Sequence, residues 1–555
     1  MRGRALGLSV VLACLLGLGC GDGGESGGEG GSSGGGGTGG AGASGGAGGD
    51  GGTGGDGGTG LSGGTGGGTG GSTGGTGATG GTGGTAGTGG SDPSLGLPVR
   101  FGINGGHRNQ AWGDATQAQL YVKGGCNSSR VSLPERHLDQ WGYEIEVADM
   151  QAYASLGLAN HVAFLTSPIR AHSTAPSSVA DWELVHYKPA NLYEPVTLPN
   201  GAINPDNYWG AYVHKTVATY KSWVKVWEIW NEPDWVDTWS YTQTWDTEPP
   251  TAEQLPRFRG SIYEYVRMLR VSREAALLAD PEAKIATGGL GYDTFLAAIL
   301  RYTDNPVDGS ITAEYPKTGG AYFDVVSFHH YPLYTPGNSE AAVEGYVSHY
   351  ERMAGRLADA GVTGKTFVTT ESGAPHVELP GTPSGEAYAR NYLVKAMTLA
   401  HAVGVNGIDW YVLSDYAEPG STDDAYGWMG LFEDIEQLGT PGEAVPTPTG
   451  IAYATLGKLL AGARHDPAAT SALDLGGSVG GAAFRSPAAK GLYVLWAKAT
   501  GTGEDASATY NLAASGPHRV HAWDHSATQA SETLAPASGV ITLSLSGSPV
   551  IVTEE

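Results

Sequence analysis

Trp227-Glu228-Ile229-Trp230-Asn231-Glu232-Pro233 is the stretch on which the reading of this chain turns. The run from Val224 to Trp230 is apolar and aromatic, the composition of a buried strand. It ends in Asn-Glu-Pro, so an amide and a carboxylate stand where strand gives way to loop. A (β/α)8 barrel carries its chemistry at that place. Thr366-Phe367-Val368-Thr369-Thr370 repeats the arrangement and ends in Glu371.

Outward from these two runs, the chain from Leu97 onward alternates short apolar segments with longer helical ones. Eight segments qualify as strands by β-branched and aromatic content: 99–104, 129–133, 160–166, 225–231, 284–288, 323–331, 365–371 and 405–413. Helical periodicity lies between several of them. It is clearest over 252–279, where Leu255, Phe258, Ile262, Tyr265, Val266, Leu269 and Ala276 recur on one face before Pro281. Segments 342–360 and 385–403 repeat it. Strands alternating with helices imply a parallel sheet, and eight of them imply a closed barrel. The expectation is an α/β fold, a (β/α)8 TIM barrel over 96–464, with long connections after the first, third and fourth strands forming the cleft. A last helix at 450–461 returns to it. Strand-like segments at 480–484, 491–497, 506–512, 520–523, 539–545 and 549–552 then predict a small antiparallel β-sandwich over 465–555, which supports the barrel and carries no evident chemistry.

The first part of the chain obeys other rules. Met1-Arg2-Gly3-Arg4 is basic, 5–18 is apolar, and Gly19-Cys20 follows, the pattern of a secretory signal too short to span a membrane. Leu16-Gly17-Leu18-Gly19-Cys20 resembles a bacterial lipoprotein box, although Gly17 stands where a large aliphatic residue is usual. Lipidation at Cys20 is expected; the alternative is a plain secretory signal. Residues 21–95 are almost entirely Gly, Thr, Ser and Ala, with nothing to bury against their ordering entropy. They read as a disordered tether; a Gly-rich coil of roughly 75 residues spans about 45–50 Å. The whole describes a bacterial cell-surface lipoprotein, anchored to the outer surface of a membrane. With Cys20 lipidated, Cys126 is the one cysteine of the mature chain, so no intrachain disulfide or cysteine metal cluster is available. The net charge of -25, with no basic run, argues against a nucleic-acid partner. No protein partner is implied.

Paired strand-end carboxylates suit cleavage of a glycosidic bond. One carboxyl donates a proton to the leaving oxygen, and the other stays ionised and attacks the anomeric carbon. Glu232 beside Asn231 suits the first role and Glu371 the second. The amide of Asn231 would bind the hydroxyl next to the reacting carbon. Protonated Glu232 calls for an apolar or negatively charged neighbourhood; Trp227 and Trp230 could supply part of it, though packing is their commoner use. Trp235, Trp239, Tyr241 and Trp245, with Asp234 and Asp237, are candidates for a sugar subsite, and Trp112 and Trp428 are candidates to line the same cleft. His329 and His330 are adjacent on one strand and point to opposite faces, so they cannot share a metal ion. No metal or cofactor is expected.

Glu228-Ile229-Trp230-Asn231-Glu232-Pro233 resembles the acid/base motif of the clan A glycoside hydrolases. It is nearest to family 39, with families 5 and 51 sharing the Asn-Glu core. Ser129-Arg130-Val131, Phe328-His329-His330-Tyr331-Pro332, Thr370-Glu371-Ser372-Gly373 and Ile408-Asp409-Trp410 fall in the clan's order. The resemblance implies that Arg130 steadies the nucleophile, His329 borders the sugar, Tyr331 bonds Glu371 and Trp410 floors the site. It implies a retaining glycosidase acting on an extracellular carbohydrate. The alternatives are a non-catalytic carbohydrate-binding surface lipoprotein and an adhesive one.

Overall fold

The computed structural model describes residues 95–105, 109 and 111–555. The signal, Cys20 and almost the whole Gly-rich segment lie outside the described residues. Eight parallel strands form the first sheet: β1 Phe101–Ile103, β2 Arg130–Ser132, β3 His161–Leu165, β4 Val224–Ile229, β5 Lys284–Ala286, β6 Val325–His330, β7 Thr366–Ser372 and β8 Val405–Trp410. Neighbours run β1-β8-β7-β6-β5-β4-β3-β2, and a parallel bridge between Asn104 and Arg130 brings the two ends together. Each strand is followed by a helix: Asp114–Lys123, Glu135–Trp141 with Val147–Ser155, Tyr208–Tyr220, Ile262–Ala279, Asp293–Arg301, Ser339–Asp359, Glu386–Val403 and Pro448–Leu459. This is the (β/α)8 barrel that the alternation predicts.

Side-chain parity builds two cores. Val162, Val226, Ala286, Val325 and Val368, one from each of β3 to β7, meet in a small apolar layer inside the ring. Their neighbours Trp227, Val326 and Phe367 join the large core shared with the helices. Two predicted details differ. The helix expected from 252 begins at Ile262, because Ser261 caps it and Glu264 completes a capping box; a short 3-10 turn at Ala252–Gln254 precedes it. Leu255 and Phe258 are nonetheless fully buried, so their periodicity reports packing of a loop. The connection after β1 is short, whereas 411–447 after β8 is long.

The rest of the chain forms a six-stranded antiparallel sheet and a two-stranded one. The first runs β14-β13-β16-β11-β10-β9, with β9 Arg464–His465, β10 Val479–Arg485, β11 Gly491–Ala497, β13 His518–His521, β14 Ser531–Leu534 and β16 Val550–Glu554. The second pairs β12 Ser507–Ala513 with β15 Val540–Ser546. Leu495, Ala497, Leu512, Ile541, Leu543 and Val552 fill the space between them. The two-residue β9 and polar β14 have too little apolar content to be read as strands from sequence. Buried polar contacts join this unit to the barrel: Trp496 Nε1 donates to Glu340 at 2.8 Å, and Glu504 accepts from Ser339 N, Ser339 Oγ and Asn391 Nδ2.

Candidate active site

The C-terminal ends of β4, β6 and β7, with Arg130 at the start of β2, bring together the predicted residues. Backbone irregularities aim them. Trp230 and Glu232 both take the left-handed conformation, at φ 74° and 46°. Such non-glycine positions cost of order 1–3 kcal/mol each. They hold Trp230 against the helices, where its Nε1 donates to the Arg257 carbonyl, while Asn231 and Glu232 face the barrel mouth. The Glu232 N–H donates to the Gly288 carbonyl at 2.6 Å. On β7 the register shifts against β8 between Thr369 and Ser372. Thr370 and Glu371, consecutive in sequence, therefore both serve the interior: Thr370 reaches Glu228 and His329, and Glu371 reaches Arg130 and Tyr331.

Glu371 is held through both oxygens. Arg130 Nη1 donates to Oε1 at 2.5 Å and the Tyr331 hydroxyl to Oε2 at 2.7 Å. The same guanidinium donates to both oxygens of Glu228, at 3.1 and 2.8 Å, and to Asn231 Oδ1 at 2.7 Å. Arg130 is thus both the partner of the expected nucleophile and half of a core ion pair. Asn231, held by its carbonyl oxygen, keeps its NH2 for a ligand. Glu228 is fully buried, and burial raises it above the usual carboxylate range against the pull of Arg130.

His329 Nδ1 bridges the two glutamates, 2.9 Å from Glu232 Oε1 and 3.6 Å from Glu371 Oε2. Its Nε2 lies 3.1 Å from Thr370 Oγ1. Burial opposes protonation of this imidazole, but Glu371 and Glu232 outweigh burial and raise it above its ordinary value. One donor atom each from Glu232, His329 and Glu371 lies within 4.8 Å of the others. His330 points away, its Nδ1 3.3 Å from Nδ1 of His349 on the helix behind β6.

Three expectations are corrected. Glu232 is not in an apolar or negative setting. Burial would raise it, but the His329 bond and the Arg257 guanidinium, which donates from Nη1 to Glu232 Oε2, hold it at about 2. Trp410 does not floor the site. It exposes no surface, packs on Tyr392 of the helix after β7 and donates to the Met429 carbonyl. Tyr411 takes the place beside Tyr331 and Tyr426, their rings 5.0 to 6.0 Å apart. The aromatic loop after β4 divides: Trp245 is core, while Trp235, Trp239 and Tyr241 are exposed. Trp227 is core as well. Trp112 and Trp428 are half-buried, their ring nitrogens donating to the Gly439 and Ser421 carbonyls.

Sequence reasoning missed Arg257, Tyr426 and the role of Glu228, and Asp234, expected at a sugar subsite, is buried. Asp234 Oδ2 accepts from the amides of Gly291 and Tyr292, and burial pushes it up to about 7. Gly289, at φ 64°, lets the loop after β5 lie against the His329 ring, where a Cβ would collide.

Similarity to known proteins is structural. No protein-family model matches the sequence, and no curated protein matches it. A family 39 glycoside hydrolase from the gut symbiont Bacteroides cellulosilyticus WH2 aligns over 83% of this chain and 81% of its own, at 15% identity and a TM-score of 0.53. The catalytic domain of a family 30 xylanase C from Talaromyces cellulolyticus aligns over 83% of this chain and 97% of its own, at 11% identity and a TM-score of 0.50. At such identities the likeness is one of fold, and the chain has the barrel of these glycoside hydrolases.

Proposed function

We propose that the chain is a retaining glycoside hydrolase that cleaves O-glycosidic β-linkages in an extracellular polysaccharide or oligosaccharide. The observation that carries this reading is the meeting of Glu232 and Glu371 on one imidazole nitrogen, with one oxygen of each carboxylate within 4.8 Å of one of the other, a closeness that supports the shorter of the two separations. Retention uses carboxyls about 5–5.5 Å apart, whereas inversion needs about 6.5–9.5 Å to admit a water. Glu371, fixed at both oxygens, attacks the anomeric carbon and forms a glycosyl ester. Glu232 gives its proton to the leaving oxygen. It then takes a proton from the water that releases the sugar, with retained configuration. Asn231 offers its NH2 to the adjacent hydroxyl as charge develops on the ring. The scheme needs no cofactor. Arg130 and Arg257 already face the two carboxylates, which disfavours a divalent cation between them.

Glu232, held ionised against Arg257, suits the second step and not the first. That contact with Arg257 favours the alternative reading, a barrel that binds carbohydrate without cleaving it. Sugar release by the full chain from plant, fungal and bacterial polysaccharides and aryl β-glycosides separates the two. Release that disappears in Glu371→Ala is expected; binding without release supports the alternative. We further propose lipid anchoring at Cys20 on the cell surface, for which incorporation of labelled fatty acid, lost in Cys20→Ser, is the test.

A further inference from the structure

The chain carries a net charge of -25, yet the wall beside Glu232 is basic. Arg257 contacts the Glu232 oxygen that His329 leaves open, and its guanidinium lies over the Trp235 ring, 4.5 Å from the centroid. Two positions on, Arg259 stacks over Tyr187 at 4.3 Å and donates to the Tyr187 hydroxyl. No carboxylate among the described residues pairs with Arg259. Glu264 pairs with Lys188 at 2.8 Å, and Asp234, beside Glu232, is bonded to two backbone amides. His186, from the connection after β3, feels both cations; burial and their charges push it down to about 4. The connection after β4 thus carries both guanidiniums, with Tyr187 and His186 of the connection after β3 against them, and the one carboxylate that Arg257 meets among the described residues is Glu232.

That arrangement conflicts with acid catalysis unless something takes Arg257 from Glu232. A neutral sugar offers no group that competes with a carboxylate for a guanidinium. An anionic group does, because planar guanidinium donors bind carboxylates and oxyanions in pairs. Its arrival would remove the cation from Glu232 and add a negative charge nearby, and both changes favour the protonated acid, with the proton drawn from solvent. Glu232 faces the leaving oxygen, so this wall faces the leaving-group sugar. We propose that Arg257 and Arg259 form a receptor for a carboxylate or sulfate on that sugar, so that acidic glycans are the substrates and their charge frees the acid catalyst. This rests on the hydrolase reading of Glu232 and Glu371.

The test uses matched glycans: a uronate-bearing oligosaccharide with its carboxyl-reduced counterpart, and a sulfated one with its desulfated counterpart. Binding is measured by calorimetry on the full chain carrying Glu371→Gln, and kcat/KM on the chain with Glu371 intact. The acidic member of one pair is expected to bind at least tenfold tighter; which pair responds tells carboxylate from sulfate. Arg257→Met and the exposed Arg259→Met are each expected to reduce that preference. Arg257→Met is also expected to slow cleavage of the acidic member and to speed cleavage of the neutral one, a crossover that a merely structural arginine would not produce. Equal binding within both pairs, or a preference that survives both substitutions, overturns the proposal. Charge-selective binding without hydrolysis keeps the receptor and removes the hydrolase; hydrolysis with charge-blind binding does the reverse.

Discussion

At the scale of single residues, charges set the state of the site. Arg130 serves Glu228, Glu371 and Asn231 at once, so the proposed nucleophile and the amide proposed to bind the sugar share one anchor. Asp234 shows the opposite economy. It is buried beside Glu232 with one oxygen bonded to two amides and the other, Oδ1, without a partner among the described residues. Its folded value of about 7 lies above its ordinary 3.8. The folded state therefore binds an extra proton between those values, and stability falls as pH rises through that window. Asp234→Asn removes the titration. Relative to the unsubstituted protein it is expected to gain up to about 4 kcal/mol between pH 4 and pH 7, the linkage limit for a shift of this size. Denaturant melts at both pH values check this, and an equal difference at the two would contradict it. Glu232 and Glu371 were legible in the sequence because each sits at or just beyond the end of an apolar strand, where one local pattern gives position and facing; Arg130, His329 and Tyr331 were named only through the resemblance of their motifs to clan A. Arg257 was not: it reaches Glu232 from 25 positions downstream, inside a loop without periodicity.

At the scale of elements, strand ends and their loops are what aim the chemistry. The shifted register of β7 turns both Thr370 and Glu371 inward, whereas Trp410, placed in the site by resemblance alone, packs on Tyr392. Simple alternation cannot reveal an irregularity of pairing, and Tyr411 is the aromatic that faces Tyr331. The loop after β5 acts through what it lacks. Gly289 combines a left-handed backbone with contact against His329, so Gly289→Ala is strained twice over. Its expected effect is a lower melting temperature and a fall in kcat/KM of order 10–100-fold, because displaced catalytic groups lose alignment. Calorimetry and kinetics on the same preparation check both; unchanged kinetics would mean that His329 has no part in the reaction. A locally written cap did not by itself make a helix start legible: Ser261 and Glu264 form a capping box, yet the spacing predicts a helix from 252. The start at Ser261 was obscured because Leu255 and Phe258 are buried from a loop with helical spacing.

At the scale of the whole molecule, the barrel and the C-terminal sheets share buried charge. Glu340, on the helix after β6, accepts from Trp496 Nε1 at 2.8 Å and pairs with fully buried Lys395 at 3.2 Å. Glu340→Ala would leave Lys395 bonded to Ser339 Oγ alone among the described residues. Breaking a buried pair in this way costs roughly 3–5 kcal/mol. The unsubstituted protein is expected to melt in one calorimetric transition, and Glu340→Ala to lower it or split it in two. Two transitions before substitution would contradict the coupling. The eight strands and the sandwich were legible because hydrophobic period and strand length are local properties. The seam between them was not, since Glu340, Lys395 and Trp496 come from three distant segments, each of which reads as ordinary helix or strand.

The central claim is that Glu371 attacks the sugar while Glu232 serves as acid and base. Incubation with an activated 2-deoxy-2-fluoro β-glycoside of the sugar the chain releases, followed by digestion and mass spectrometry, addresses it directly. The fluorine slows release of the glycosyl ester, so the account predicts one added sugar on the peptide containing Glu371, absent in Glu371→Gln. A label on any other residue, or turnover of the substrate with inverted configuration and no labelled peptide, would contradict it.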